Sequence, residues 1–248
     1  ALRAFVPGAV QVRLDAGQTA WLAELRTVSA VFVQLHHLDP SQAESAVVLQ
    51  RVITALQRCL RRWEGSLNKL VVDDRGTTIV IGFGFPPYAH EDDAVRAVRT
   101  ASLCRDICRG EDLAFGIGVT TGRAFCGAYG SALRREYTML GDSVNLAARL
   151  MQAAPNDVWV DVATLREAVG RIAFAELPAV RVKGKAELVP VATPIGELDA
   201  TGRHEVLLTG RHEAILTGRL DVTQTGSLER PVADLGASGG DLPRISSS

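Results

Sequence analysis

The spacing of hydrophobic and polar positions changes several times along the chain and divides it into strands and helices. Residues 27–35 (TVSAVFVQL) form an apolar, β-branched run that is typical of a buried strand. Apolar residues then repeat at helical spacing through 48–63, and Asp39 followed by Pro40 predicts where that helix begins. The pattern next predicts a strand at 66–72, a strand at 77–85, a helix at 91–109 and a strand at 113–119.

This order is β-α-β-β-α-β, the split βαβ arrangement of ferredoxin-like folds. The elements predicted after it are a glycine-spaced hairpin at 120–140, a helix at 142–153, a strand at 158–160, a helix at 162–169, and closing strands at 172–175 and 180–191. We therefore predict an α+β fold with a ferredoxin-like βαββαβ core and a C-terminal α/β extension. In such a core the first and third strands are central neighbours.

The chain divides into three regions by composition. Residues 1–25 have the character of an interdomain linker, residues 26–195 carry the predicted domain, and residues 196–248 contain no aromatic residue. The last region repeats a degenerate octapeptide, with copies that begin at Thr201, Thr209, Thr217 and Thr225. Four octads are too few to bury a core, so we interpret them as a decayed duplication in a flexible tail rather than a small solenoid or a peptide ligand.

Composition narrows the class of protein. The 248 residues are 47% hydrophobic and carry a net charge of −1, which permits a buried core and argues against a partner held by a generally basic surface. No apolar run approaches the ~18 residues of a membrane span. The four cysteines include no CxxC pair, so we expect buried thiols rather than a zinc site, and a cytoplasmic location.

The same order of elements occurs in RNA-binding RRM domains, which read bases with aromatic residues on their third strand. Arg75-Gly76 matches the start of that stacking motif, but Thr77, Ile79 and Gly82 occupy the aromatic positions. The stacking platform is absent, and we expect no nucleic-acid partner.

Candidate chemistry is concentrated in residues 115–153. The glycines there do not form a phosphate-binding loop, because neither GxxxxGK[ST] nor GxGxxG is present, and they predict turns and close backbone packing instead. Asn145 and Arg149 lie four residues apart on one face of the predicted helix. Asn can hold a sugar or phosphate oxygen, and Arg can neutralise charge on a transferring phosphoryl group. The same pair would also suit an ordinary solvated helix face.

This stretch, and in particular YTMLGDSVNLAARL, resembles the signature region of the class III nucleotidyl cyclases. The resemblance extends over residues 26–195 and includes FGFPPYAHEDDAVRAV and VRVKGK. Within the family the chain is most similar to the second cyclase domain of bicarbonate-responsive soluble adenylyl cyclases, in the blocks ELRTVSAVFVQL, LNKLVVDDRG and REYTMLGDSVNLAARLM.

The resemblance implies a role for several residues. Lys69 and Thr138 would contact the adenine edge, Asn145 would orient the ribose or the reacting phosphate, and Arg149 would stabilise the transition state. Guanylyl cyclases are expected to carry Glu and Cys where this chain has Lys69 and Thr138, so ATP is the expected substrate. Lys183, in VKGK, would reach the terminal phosphates, although an ordinary surface lysine fits that position equally well.

The chain departs from the family pattern at the metal site. Metal-binding members carry two aspartates for Mg²⁺, but the matching positions here are Gln34 and Thr77, and neither is an anionic ligand. Asp73 and Asp74 lie nearby, where they could be ligands or turn residues. The resemblance then implies half of an adenylyl cyclase site that makes cAMP from ATP. A second cyclase domain, expected in the same polypeptide, would hold Mg²⁺ or Mn²⁺. The alternative is an inert pseudocyclase with a dimerising or regulatory role.

Overall fold

The computed structural model describes residues 24–38, 42–85, 88–131, 135–198 and 204–205, together with residues 11, 15 and 17. We number the elements in chain order. The strands are β1 Glu24–Leu35, β2 Ser66–Asp73, β3 Gly76–Phe83, β4 Phe115–Gly130, β5 Arg135–Leu140, β6 Val158–Asp161, β7 Ile172–Val180, β8 Val189–Leu198 and β9 His204–Glu205. The helices are α1 Ala43–Trp63, α2 Asp93–Gly110, α3 Asp142–Ala153 and α4 Val162–Ala168.

The predicted ferredoxin-like core is confirmed. The strands lie in the order β2-β3-β1-β4, with β1 and β3 as central antiparallel neighbours. Alternate residues of β1 and β3 point to the helices α1 and α2 and form the main core; they are Val31, Val33, Leu35, Ile79, Ile81 and Phe83, all fully buried. The residues between them point to the opposite side of the sheet, as period-2 alternation requires.

We call that opposite side the α3 face, and it carries Ala30 and Gln34 of β1 and Thr78 and Val80 of β3. Helix α3 packs on this face against β4 and β1, and a second, smaller core forms beneath it with Met139 of β5. The sheet continues past β4 through β6, β8 and β7, with β4 and β6 parallel. This is the predicted C-terminal α/β extension.

Three predicted boundaries are wrong. Helix α1 begins at Ala43, with Gln42 as its N-cap, and not at Asp39. Leu38, beyond the end of β1, is buried against the main core. The predicted strand at 113–119 and the first arm of the following hairpin are one continuous strand, β4. The predicted closing strand at 180–191 is a loop at 181–188, after which β8 runs from Val189 to Leu198.

Other expectations fall partly outside the described residues. The proposed linker at 1–25 lies outside the described residues except for residues 11, 15, 17, 24 and 25. The octapeptide repeats lie outside them except for the short strand β9. All four cysteines are described, and each is a buried free thiol. None of the helices in the described ranges combines the length and apolar character that crossing a bilayer requires.

Candidate active site

The two residues expected to contact the adenine base lie on neighbouring segments. Lys69 is exposed on edge strand β2, opposite Val80, which places it on the α3 face. Thr138 is half-buried on β5, opposite Gly127 of β4. β2 and β5 do not pair as strands, yet the side chain of Asn68 donates a hydrogen bond of 2.9 Å to the main-chain carbonyl of Tyr137. The structure therefore brings the segments of Lys69 and Thr138 together.

Helix α3 carries Asn145 and Arg149 and is seated unusually close to the sheet. Gly118 of β4 lies directly beneath it, and a Cβ at that position would be 2.5 Å from Met151 N and closer still to Ala147 O. The predicted role of the glycines in close packing is confirmed here. α3 follows β5 after Gly141 alone, so the helix begins directly after the strand that holds Thr138. Asn145 is exposed and Arg149, one turn further along α3, is half-buried.

The loop at 181–188 folds back over α3. Gly184 has a φ of 76°, and a Cβ on it would lie 3.0 Å from Nη2 of Arg149, so the guanidinium rests against the loop backbone. Lys185 Nζ and Asp142 Oδ2, at the start of α3, form an ion pair of 2.5 Å. The hydrogen bond from Lys185 holds the pKa of the Asp142 carboxyl below its ordinary value. Lys183 is exposed in the same loop, which places its backbone close to Arg149.

The candidate side chains are uncommitted. Within the described part of the chain, the side chains of Lys69, Thr138, Asn145, Arg149 and Lys183 have no hydrogen bond or ion pair at hydrogen-bonding distance. Arg149 is close enough to Asp142 to help lower the pKa of that carboxyl. Three of the five are cations on or beside the α3 face. Cations and an amide that make no hydrogen bond of their own can receive the phosphates of a nucleotide, because each retains its full set of donors.

The expected metal positions do not converge. β1 and β3 pair with Gln34 opposite Thr78 and Leu35 opposite Thr77. Gln34 is therefore on the α3 face, whereas Thr77 points with Leu35 into the core and is fully buried. The Gln34 amide is already satisfied: Thr78 Oγ1 donates to its Oε1 at 3.1 Å, and its Nε2 donates to the Arg75 carbonyl at 3.3 Å. Thr77 Oγ1 is buried among core residues and finds no hydrogen-bond partner among the described residues. Neither neutral side chain is the anionic oxygen ligand that a Mg²⁺ site requires.

Asp73 behaves as a turn residue. The Arg75 main-chain N–H donates to Asp73 Oδ1 at 2.9 Å, and the Arg75 guanidinium lies 3.4 Å from Oδ2. Asp74 is exposed in the same two-residue turn between β2 and β3. The described ranges contain no group of three or more His, Cys, Asp or Glu side chains arranged to hold a metal ion.

Some residues of the site were missed by the sequence reasoning. Asn68, Asp142, Gly184 and Lys185 were given no role, although each lies inside a sequence block that carried the family resemblance. Their contacts join segments far apart in the chain, which local spacing does not reveal.

Known proteins are similar to this chain over the region that contains the candidate residues. A family model described as "Adenylate and Guanylate cyclase catalytic domain" matches residues 27–192. Adenylate cyclase type 10 of Homo sapiens is 33% identical over 195 residues, 77% of this chain, and that of Oryctolagus cuniculus is 32% identical over 200 residues, 79% of this chain. The chain spans 12% of the length of each of these relatives.

Solved structures share the fold. The adenylyl cyclase CyaB from P. aeruginosa superposes with a TM-score of 0.63 at 21% identity, covering 70% of this chain and 96% of that one. The guanylyl cyclase Cya2 gives a TM-score of 0.61 at 23% identity, covering 73% of this chain and 98% of that one.

Proposed function

The chain belongs to the family of adenylate and guanylate cyclase catalytic domains, and from that premise we propose that it supplies one half of an adenylyl cyclase active site. In this proposal it contributes base recognition and transition-state stabilisation. A second cyclase domain, in the same polypeptide, contributes the carboxylates that hold Mg²⁺ or Mn²⁺. The observation that carries the proposal is the contrast between five polar side chains on or beside the α3 face that make no hydrogen bond of their own and a satisfied, neutral Gln34 where a metal ligand would be.

The reaction requires little covalent chemistry from the protein. The ribose 3′-hydroxyl loses its proton and its oxygen attacks the α-phosphorus of ATP, the bond to the β-phosphate bridging oxygen breaks, and cAMP and pyrophosphate result. Catalysis of phosphoryl transfer rests mainly on positioning and on stabilising the charge that develops on phosphate oxygens. Metal ions held by the partner domain would supply part of that stabilisation.

Arg149 is the residue of this chain best suited to the transition state. The Gly184 backbone packs against its guanidinium, which restricts the orientations open to it on that side. Asn145, one turn earlier on the same face, can position the ribose or the α-phosphate through its amide. Lys183 is the candidate for the terminal phosphates, because the Lys185–Asp142 ion pair anchors its loop to α3.

Base selection rests on Lys69 and Thr138. A lysine ammonium donates to a ring nitrogen, and a threonine hydroxyl can accept from the adenine amino group. A guanine would present a carbonyl and a ring N–H on that edge, which reverses the required pattern. The similarity to adenylate cyclase type 10 supports the same choice of ATP.

The test is complementation. The purified chain would be mixed with a cyclase domain that carries both metal aspartates but has alanine in place of its own transition-state arginine, so that only the composite site can turn over. We expect no cAMP from the chain alone with Mg²⁺ or Mn²⁺, and cAMP from the mixture. Lys69→Glu with Thr138→Cys should lower the ratio of kcat/KM for ATP to that for GTP, since the donor and acceptor pattern is inverted.

The alternative is a regulatory pseudocyclase that dimerises without taking part in chemistry. The satisfied Gln34–Thr78 pair is expected for this alternative as well as for the half-site, because both lack a metal ligand at that position. A mixture that associates and binds ATP but makes no cAMP would support this alternative and refute the catalytic proposal. Metal-dependent turnover by the pure chain would refute the half-site arrangement instead.

A further inference from the structure

Strand β2 contains a β-bulge at Asn68. Leu67 pairs with Ile81 of β3, but Lys69 pairs with Val80, so Asn68 is the extra residue. In unbroken pairing Lys69 would lie opposite Ile79, whose side chain is fully buried beneath the helices. The bulge shifts the alternation by one residue. It therefore turns Lys69 away from the core and onto the α3 face.

The bulged residue is also the bridge to β5. Asn68 Nδ2 lies 2.9 Å from the Tyr137 carbonyl oxygen, and the contact is partly buried. A carbonyl can only accept, so the Asn68 amide must be the donor. The Tyr137 ring is held from another direction by an edge-on contact with Phe85, at 5.4 Å between centroids and 87° between planes. Tyr137 is thus held at its main-chain carbonyl by Asn68 and at its ring by Phe85.

Each end of this hydrogen bond is directly followed by a candidate base-reading residue. Lys69 follows Asn68, and Thr138 follows Tyr137. β2 and β5 do not pair as strands. Among the described hydrogen bonds, the one from Asn68 to Tyr137 connects the two segments directly. The bond therefore contributes to the spacing of Lys69 and Thr138, together with the β4–β5 pairing that also positions β5.

We infer that Asn68 is a positioning residue for base selection: its amide holds β5 against the bulge of β2 so that Lys69 and Thr138 read one purine edge together. This inference rests on the proposed function. It assigns Asn68 no contact with the nucleotide. Loss of the donor should therefore alter the preference between adenine and guanine more than the rate of the chemical step.

The test compares Asn68→Asp with Asn68→Gln in the complementation mixture. Asp has the same shape but cannot donate and sets a carboxylate against a carbonyl, whereas Gln keeps the amide donor. For Asn68→Asp we expect KM for ATP to rise about tenfold, equivalent to about 1.4 kcal/mol, with kcat within about twofold of the parent. The preference for ATP over GTP should fall with it, and Asn68→Gln should retain most of that preference.

A second readout needs no catalysis. Amide hydrogen exchange in residues 135–140 of the chain should be faster in Asn68→Asp than in the parent, because one tie of β5 is lost. If exchange and selectivity both match the parent, the inference is overturned. Faster exchange with unchanged selectivity shows that Asn68 is only structural and also overturns it. If the parent mixture neither binds ATP nor turns over, the proposed function fails, and the inference fails with it.

Discussion

Gly118→Ala tests whether the position of α3 controls the site. Gly118 lies on β4 under the middle of α3, and its own backbone is ordinary strand. A methyl group there meets main-chain atoms of the helix, with Met151 N at 2.5 Å and Ala147 O closer. Main-chain atoms cannot rotate away as a flexible side chain can, so the whole helix must retreat from the sheet.

The distance sets the size of the effect. Non-bonded carbon contacts are comfortable at about 3.5 Å, so α3 must move outward by at least about 1 Å. Overpacking of this kind costs about 1–3 kcal/mol, which lowers Tm by roughly 2–12 °C in a domain of this size. Because Asn145 and Arg149 move with the helix, a displacement of about 1 Å should also lower kcat about 10²-fold.

The assay pairs thermal unfolding of the chain with kcat in the complementation mixture. Gly110→Ala is the matched control: it lies at the end of α2, a methyl group there meets nothing within 4 Å, and both Tm and kcat should stay at or slightly above the parent values. Parent-like Tm and kcat for Gly118→Ala would refute the close seating of α3. A lower Tm with parent kcat would refute the assignment of the transition-state residues to α3.

Three further predictions use the same chain. Arg149→Ala should lower the kcat of the mixture by about 10²–10³-fold with a smaller change in KM, because the guanidinium acts on transition-state charge. A kcat equal to that of the parent would remove Arg149 from the site. Gln34→Asp with Thr78→Asp should create Mn²⁺ binding, measured by calorimetry, because these side chains face each other; replacing Thr77 instead buries an unpaired carboxylate and should cost about 3–5 kcal/mol of stability. Burial raises the pKa of Asp161 above its ordinary value. The contribution of Asp161 to stability is therefore full below the ordinary Asp pKa of about 4 and is lost as pH rises through the raised pKa. The Tm of Asp161→Asn relative to the parent should increase between these two pKa values, and a constant difference would contradict this.

Local patterns were sufficient for the order of the elements and for most of the helices. The helix at 142–153 was predicted with the bounds it has, because Gly141 precedes it and its apolar spacing is regular to the end. The ferredoxin-like strand order followed from that succession of elements, since few topologies are compatible with it. The candidate residues Asn145 and Arg149 could be paired from sequence because a four-residue spacing within one helix fixes a shared face.

Strand register and loop contacts were decided only by the tertiary structure. Gln34 and Thr77 occupy the expected positions in the chain, yet the pairing sets Gln34 against Thr78 and sends Thr77 into the core. The bulge at Asn68 moves the Lys69 side chain from the helix-covered side of the sheet to the α3 face. A shift of one residue in strand pairing leaves no signature in local periodicity. The loop over Arg149 is held to α3 by the ion pair of Lys185 with Asp142, a residue 43 positions away. Helical spacing is a property of neighbours in sequence, whereas register and loop docking depend on which distant segments pack together.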